Sequence, residues 1–287
     1  MNTWPDVTWA APAKLNLFLH VLGRRDDGYH DLQTVFQFLD FHDTLRFRPR
    51  QDGQIVRHGG LATVPADEDL VVRAARALRV LAGRAGELGV DILLDKRIPE
   101  QGGLGGGSSN AATTLVALNH LWSLNLSLET LAAVGAELGA DVPVFVHGHA
   151  AWAEGRGDQL SPVALPEPCY LVVNPDCAIS TAALFAAPDL RRDSEAIDLA
   201  DFLAGRGRND FQPLAEAACP DVAEALAWLG RFGPARLTGT GACVFLPFDS
   251  RADAVAAHAA LPEPWQGFVA RGLNRSPLLD SLDIATR

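Results

Sequence analysis

The segment best suited to chemistry is a run of glycines, GGLGGGSSNAA at 102–112, that leads into a predicted helix. Glycines at the start of a helix expose backbone N–H groups, and the helix dipole adds partial positive charge there. This combination suits a phosphate group. The run lacks the lysine of the GxxxxGK[ST] loop, and no stretch matches GxGxxG, so neither a Walker site nor a dinucleotide site is predicted. A flexible surface loop with a helix cap is the alternative.

Two charged residues are further candidates. Lys14 lies in the apolar segment AKLNLFLHVL at 13–22, and every other basic residue except Lys96 is an arginine. An ammonium is not interchangeable with a guanidinium, so a lysine there has a specific role unless codon bias explains the scarcity. From the residues alone, Lys14 fits an exposed strand position. Asp141, two residues before Pro143, fits a helix N-cap better than a general base.

Regular elements must position these groups. Alternation predicts a strand over 13–22, with Lys14 and Asn16 on one face, then a polar loop and a second strand over 33–48. A helix is predicted to begin near Ser108 or Ser109, with a serine as its N-cap. Further helices are predicted at 69–82, 128–139, 195–204, 213–229 and 250–260, and further strands at 90–95, 169–175, 243–246 and 266–272. The predicted fold class is α+β.

Composition excludes several classes of protein. The chain has 287 residues, 48% hydrophobic and 21% charged, which is typical of a globular protein rather than a disordered or coiled-coil chain. The net charge of −11 argues against nucleic-acid binding. The N-terminus shows no signal peptide and no window approaches a membrane span, so a cytoplasmic protein is expected. The four cysteines lack CxxC spacing and are predicted to be free core residues.

Three blocks resemble the motifs of the GHMP small-molecule kinases: APAKLNLFL at 11–19, PEQGGLGGGSSNAA at 99–112 and RLTGTGACVF at 236–245. Two more, DGYHDLQTVFQFLD at 27–40 and GADVPVFVHGHAAWAEG at 139–155, narrow the resemblance. They point to the branch that phosphorylates 4-diphosphocytidyl-2-C-methyl-D-erythritol on its 2-hydroxyl, on the methylerythritol phosphate route to isoprenoids. One departure is Glu100-Gln101, where the family pattern has a small or apolar residue followed by glycine or alanine.

The resemblance implies a two-domain GHMP kinase fold. A ribosomal-protein-S5-like domain over 1–160 and a ferredoxin-like domain over 161–287 would enclose a cleft, with the boundary in the proline-rich stretch 161–168. ATP would be the phosphoryl donor, and Mg²⁺ would bind together with it. The expected partner is the small-molecule substrate, with no nucleic acid and no membrane, and the expected state is a monomer or a homodimer.

The resemblance also implies roles for individual residues. Lys14 and Asp141 match the catalytic pair. The implied ATP-binding residues are Pro99, Gly102, Gly103, Leu104, Gly105, Gly106, Gly107, Ser108 and Ser109, with Ser108 also the candidate ligand of Mg²⁺. The implied substrate-binding residues are Asn16, Tyr29, His30, Thr181, Phe185, Gly239, Thr240 and Gly241. Tyr29 and Phe185 would stack on the cytosine, and His30 would read it.

Two other functions remain open at this point. The first is a GHMP kinase that acts on another alcohol, such as homoserine or mevalonate, but the Tyr29-His30 block argues against it. The second is a non-catalytic relative that binds nucleotide. Such a relative would be expected to have lost Lys14 or Asp141, and both are present.

Overall fold

The protein has an α+β fold, as predicted, and the computed structural model describes residues 4–84 and 86–286. Its strands are β1 (Trp9–Arg24), β2 (His30–Arg50), β3 (Ile55–Gly59), β4 (Gly89–Asp95), β5 (Ala151–Glu154), β6 (Gln159–Pro162), β7 (Cys169–Asn174), β8 (Arg236–Leu237), β9 (Val244–Phe248) and β10 (Gln266–Leu273). Its helices are α1 (Leu70–Leu81), α2 (Gly106–Leu121), α3 (Leu128–Leu138), α4 (Val142–His147), α5 (Thr181–Ala186), α6 (Leu199–Leu203), α7 (Gln212–Ala218), α8 (Pro220–Leu229), α9 (Arg251–Ala259) and α10 (Pro277–Ala285).

Seven of these strands form a continuous path in the order β3-β4-β2-β10-β7-β9-β8, and off this path β1 and β5 pair with β2 while β6 pairs with β5. The long hairpin of β1 and β2 dominates the first half, and β10 connects the halves by pairing with both β2 and β7. One apolar core lies under α1, α2 and α3, and a second lies under α7, α8 and α9. The C-terminal helix α10 returns to the first core through Leu278. The domain division at residue 160 stays a prediction.

Most predicted elements are present, and the differences have physical causes. The predicted helix at 213–229 is two helices, α7 and α8, because Cys219 is extended and Pro220 has no N–H to continue a helix. The prediction of four free cysteines was wrong, since Cys177 and Cys219, 42 residues apart, form a disulfide. Pairing at such a separation leaves no spacing signal. The helices α5 and α10 have no counterpart among the predicted elements. No helix among the described residues is long and apolar enough to cross a membrane.

Strand β1 is buried on both of its faces over most of its length. The polar face that carries Lys14 and Asn16 is covered, and these side chains are only 3% and 4% exposed. The exposed-strand interpretation of Lys14 is therefore excluded. A buried lysine needs a partner, because an unpaired charge is costly to remove from water.

A cluster of charged side chains around the buried Asp91 ties β2, β3 and β4 together at the sheet edge. Asp91 accepts hydrogen bonds from Arg48, Arg50 and His58 at 2.6–3.0 Å. Burial alone would raise the pKa of Asp91, but the hydrogen bonds from His58, Arg48 and Arg50 lower it to about 2. The carboxylate therefore stabilises the fold above the unfolded-state pKa near 4, and this contribution is lost as the pH falls through about 2.

We expect Asp91→Asn to lower the free energy of unfolding at pH 7 by roughly 2 kcal/mol, the value of a pKa shift of that size. The loss of stability between pH 4 and pH 2 should also become shallower. Urea unfolding at several pH values measures both. Asp52→Asn is the matched control, because Asp52 binds the same Arg50 but is exposed, so its effect should be smaller. Equal effects of the two substitutions would contradict the assignment.

Candidate active site

The side chain of Lys14 makes three polar contacts where β1 passes under the glycine loop. Its Nζ lies 3.2 Å from Asp141 Oδ2, donates to Gly103 O at 3.1 Å and donates to Asn16 Oδ1. Lys14 is buried, while the side chain of Asp141 is 35% exposed. The ammonium therefore lies at the buried base of the site, and the carboxylate is accessible from the solvent side.

Asp141 occupies the N-cap position of α4, as the sequence suggested, but it does not cap the helix. Its side chain makes no capping hydrogen bond, and its backbone is helical, with φ −84° and ψ −10°. An N-cap aspartate usually has an extended backbone and accepts a hydrogen bond from the first turn. The carboxylate is bound to Lys14 instead, so the geometry favours the chemical interpretation over the capping one.

The glycine loop approaches Lys14 more closely than a side chain would allow. Gly105 is the N-cap of α2 in a left-handed conformation, with φ 71°, and the helix begins at Gly106 rather than at a serine as predicted. A Cβ on Gly105 would lie 2.8 Å from Phe145 and 3.1 Å from Lys14 Cε. The cap must therefore be glycine, and no serine side chain caps this helix.

Two cavities open beside this loop. The larger has a volume of about 730 Å³ and contains Lys14 and Asp141 in its wall. The smaller, of about 370 Å³, runs along the glycine loop toward Lys96. Both are lined by Gln101, Gly103, Gly105 and Ser108. A ligand in one cavity can therefore meet a ligand in the other beside the Lys14–Asp141 pair.

The structure brings together nearly all of the residues singled out in the sequence. The larger cavity is lined by Lys14, Asn16, Tyr29, His30, Asp141, Thr181, Phe185, Gly239, Thr240 and Gly241. The smaller is lined by Pro99, Gly102, Gly103, Leu104, Gly105, Gly106, Gly107 and Ser108. Ser109 lines neither cavity, and its hydroxyl is buried without a hydrogen-bond partner among the described residues.

The turn after β8 supports the site from the second half of the chain. Thr238 Oγ1 accepts a hydrogen bond from Asn16 N at 2.9 Å, which fixes the turn against β1. The hydroxyls of Thr240 and Thr181 lie 2.7 Å apart and link the turn to α5. Asn209 donates through Nδ2 to Gly239 O at 2.7 Å. These contacts make the turn a rigid wall of the larger cavity.

The far end of the larger cavity carries aromatic and imidazole rings. The His30 ring lies 5.2 Å from the Phe185 ring. Burial, Arg192 and Arg24 lower the pKa of His30, which keeps its ring neutral at neutral pH. His30 Nε2 accepts a hydrogen bond from Arg192 Nε at 3.0 Å, so the ring proton is on Nδ1. Tyr29, which is 52% exposed, also lines this cavity, and the guanidinium of Arg156 lies 3.8 Å from its ring centroid.

Sequence reasoning missed several residues of this site. Lys96 lines the smaller cavity and pairs with the buried Asp43. The scarcity of lysine could have indicated it, because the argument made for Lys14 applies equally to the only other lysine. Asn209 and Arg192 lie in the stretch where the family resemblance is weakest. Arg156 had no signal in the sequence, because its role depends on where Tyr29 lies.

The family departure at Glu100-Gln101 has a structural consequence. Gln101 has φ 52°, a left-handed backbone conformation that glycine adopts at lower cost. Its carbonyl accepts a hydrogen bond from Ala242 N at 3.0 Å, which holds the glycine loop against the turn after β8. Gln101 also lines both cavities. Its amide therefore adds a polar side chain at the point where the cavities meet.

Comparison with known protein families places two domain models on this chain. The GHMP kinases N terminal domain matches residues 69–149, and the GHMP kinases C terminal domain matches residues 186–267. The first range includes the glycine loop and Asp141. The second range includes the turn after β8. It begins one residue after Phe185.

Full-length relatives are also similar. The chain is 59% identical over 274 residues to 4-diphosphocytidyl-2-C-methyl-D-erythritol kinase of Alkalilimnicola ehrlichii, covering 96% of this chain and 94% of that protein. It is 55% identical to the protein of the same name from Halorhodospira halophila, covering 100% and 99%. A solved 4-(cytidine 5'-diphospho)-2C-methyl-D-erythritol kinase superposes with TM-score 0.80 at 33% identity, covering 92% of this chain and 98% of that one. A mevalonate kinase, at 18% identity and TM-score 0.72, shares the fold.

Proposed function

Because the chain belongs to the 4-diphosphocytidyl-2-C-methyl-D-erythritol kinase family of GHMP kinases, we propose that its two cavities carry out that family's reaction. ATP donates its γ-phosphoryl group to the 2-hydroxyl of 4-diphosphocytidyl-2-C-methyl-D-erythritol. The observation that carries the residue assignments is the Lys14–Asp141 pair at the junction of the two cavities. The smaller cavity takes ATP, and the larger takes the alcohol.

The transfer moves one phosphoryl group and one proton. The acceptor oxygen forms a bond to the γ-phosphorus while the bond from that phosphorus to the bridging oxygen of ADP breaks. Asp141 takes the hydroxyl proton, and Lys14 stabilises negative charge on the carboxylate and on the reacting oxygens. Because phosphoryl transfer depends mainly on positioning and charge, this carboxylate and ammonium act together with the site that binds and aligns the phosphates of ATP.

The glycine loop supplies the phosphate site. Its left-handed glycines, Gly103 and Gly105, leave the backbone open, and the N-terminus of the 16-residue helix α2 points at the junction. No group of three or more His, Cys, Asp or Glu side chains among the described residues is arranged to hold a metal. A site with so few protein ligands fits Mg²⁺ that binds together with ATP, since Mg²⁺ is usually held by substrate phosphates and one or two protein groups. Ser108, which lines both cavities, would hold it.

The ring-lined end of the larger cavity takes the cytosine. Tyr29 and Phe185 supply stacking surfaces, and the Nδ1–H of His30 is a donor for the acceptor atoms N3 and O2 of the base. Arg192 fixes this tautomer through its hydrogen bond to Nε2. Arg192 also donates to the carbonyls of Phe185 and Ala187, at 2.9 Å each, so the same guanidinium orients both His30 and the end of α5.

We further propose that the enzyme acts in the cytoplasm, where ATP is available, as a monomer or a homodimer.

A substrate panel tests the proposed function. ADP release from Mg·ATP is measured with 4-diphosphocytidyl-2-C-methyl-D-erythritol, homoserine, mevalonate and galactose. Turnover with the cytidyl substrate alone is expected. Turnover with another alcohol would remain consistent with the proposed roles of Lys14 and Asp141 but would contradict the assignment of the ring-lined end to cytosine. ATP binding without turnover on any alcohol would instead favour a non-catalytic nucleotide-binding protein.

We expect Tyr29→Ala to raise KM for the cytidyl substrate by about 5- to 150-fold, because stacking of a base on an aromatic ring is worth roughly 1–3 kcal/mol. The value of kcat should change little, since Tyr29 is remote from the reacting atoms. Tyr29→Phe keeps the ring and should stay close to wild type. Steady-state kinetics at saturating ATP measure both constants. An unchanged KM in Tyr29→Ala would remove this residue from the base site.

A further inference from the structure

A third cavity lies away from the catalytic site, between β1, β7 and β9. Its volume is about 220 Å³, and it shares no lining residue with the other two cavities. Its wall is mainly proline and aromatic: Leu17, Leu165, Pro166, Pro168, Tyr170, Phe202, Leu203, Pro234, Arg236, Phe245 and Pro247. Arg236, on β8, is the one charged residue in this wall.

The charge of Arg236 is incompletely compensated. Its Nη1 donates to Leu17 O at 3.1 Å, and no carboxylate of the described residues lies within 4.0 Å of the guanidinium. The side chain is half-buried, and burial lowers its pKa. An arginine nevertheless stays protonated in proteins. A partly desolvated cation with free N–H donors therefore faces an apolar space.

The other polar group in the wall is already satisfied. Tyr170 donates its hydroxyl proton to Gln37 Oε1 at 2.7 Å, and burial raises the pKa of Tyr170, so it stays neutral. Gln37 Nε2 in turn donates to Pro166 O at 2.9 Å. These bonds leave Arg236 as the group able to bind a ligand's charge, and they put no negative charge in the wall that would repel an anion.

We propose that this cavity is a second ligand site, for a small molecule that has one anionic head and an apolar, ring-sized body. The head pairs with the guanidinium of Arg236, and the body packs on Tyr170, Phe245 and the prolines. Binding would replace a partly desolvated, unpaired cation by a charge-assisted hydrogen bond, which is among the stronger polar contacts. The volume is below the range of about 300–1,000 Å³ typical of drug-sized ligands, which limits the body to about one ring.

The cavity is connected to the catalytic strand through few bonds. Arg236 donates to Leu17 O, and Leu17 follows Asn16, the residue that binds Lys14. Two residues after Arg236, Thr238 accepts from Asn16 N. A ligand that draws the guanidinium away from Leu17 O would thus act on the segment that carries Lys14.

Titration with 3-phenylpropionate and with its neutral amide tests the proposal. Binding is followed by protein-observed NMR and calorimetry on wild type, on Arg236→Gln and on the matched control Arg231→Gln, an exposed arginine outside the cavity. The acid should bind wild type and Arg231→Gln with the same affinity. Its affinity for Arg236→Gln should be lower by roughly tenfold or more. The amide should bind the three proteins equally weakly.

Intermolecular NOEs in the wild-type protein locate the probe even if Arg236→Gln fails to fold. Contacts from the phenyl ring to Tyr170 and Phe245 support the site. Contacts to Tyr29 or Phe185 would place the acid in the larger cavity and overturn the proposal. Equal affinity for the acid and the amide, equal affinity in Arg236→Gln, or no binding at millimolar concentration would also overturn it.

Discussion

Asp141→Asn is expected to lower kcat by about 10²–10⁴-fold, the usual contribution of a general base. An amide cannot accept the proton of the acceptor hydroxyl, and it also removes the charge that Lys14 binds at 3.2 Å. The side chain is 35% exposed and makes no capping hydrogen bond, and Asn keeps its size. The substitution nevertheless leaves the ammonium of the buried Lys14 without its carboxylate partner, so thermal unfolding must be measured beside turnover. ADP release at saturating substrates gives kcat, and equilibrium titration with an ATP analogue should show binding close to wild type.

The comparison needs a carboxylate that is near the nucleotide but remote from Lys14. Glu68 lines the smaller cavity and is not bound to Lys14, so Glu68→Gln removes a charge from the ATP site without removing the proposed base. Its kcat should remain within a few-fold of wild type. A loss of less than tenfold in Asp141→Asn would exclude the general-base role. A comparable loss in both variants would indicate that overall charge, rather than proton transfer, controls the rate.

Local patterns in the sequence were sufficient for much of the fold. Period-two alternation predicted β1 and β2, and helical spacing predicted α1 and α3, because these elements bury a regular apolar pattern. Short elements were missed. The six-residue helix α5 is too short to establish a period, although it forms one wall of the larger cavity.

The start of α2 shows a different limit. Two serines predicted a side-chain cap and a start near Ser108 or Ser109, but the helix begins two or three residues earlier, at Gly106, with Gly105 as its N-cap. The reason is not local: Phe145 and Lys14, from α4 and β1, leave no space for a Cβ at the cap. The sequence pattern indicates that glycines are needed in this loop. Only the packing around the loop explains why Gly105 is the one that caps the helix. The same shift places Ser108 between the cavities and Ser109 in the interior.

The two charged candidates were underestimated for a related reason. Each had a plausible local explanation, an exposed strand position for Lys14 and a helix cap for Asp141. Both explanations fail because β1 and α4 meet in space, which buries the lysine and turns the carboxylate away from its own helix. Family resemblance named these two residues together, and they are in contact in the structure, while their catalytic role stays a prediction. The pairing is a long-range contact between residues 14 and 141.

Lys14→Met is expected to lower kcat by about 10²–10³-fold, the cost of removing one preorganised charge-stabilising donor. Methionine has a similar length and is apolar, so it removes the ammonium while filling the space beneath Gly105. The variant also leaves Gly103 O and Asn16 Oδ1 without the Lys14 donor, so thermal unfolding must be measured beside turnover. Lys14→Arg should not rescue activity, because the larger planar guanidinium would meet the loop where Gly105 already approaches Lys14 Cε closely.

The double variant Lys14→Met/Asp141→Asn distinguishes a shared role from two separate ones. If the ammonium keeps the carboxylate ionised and both groups stabilise the same transition state, either single substitution already removes most of that stabilisation. The second substitution then lowers kcat little further. The double variant should then lose about as much kcat as the more damaging single variant, since residues that act as a unit are not additive. A loss equal to the product of the two single losses would show that Lys14 and Asp141 act independently, despite lying 3.2 Å apart.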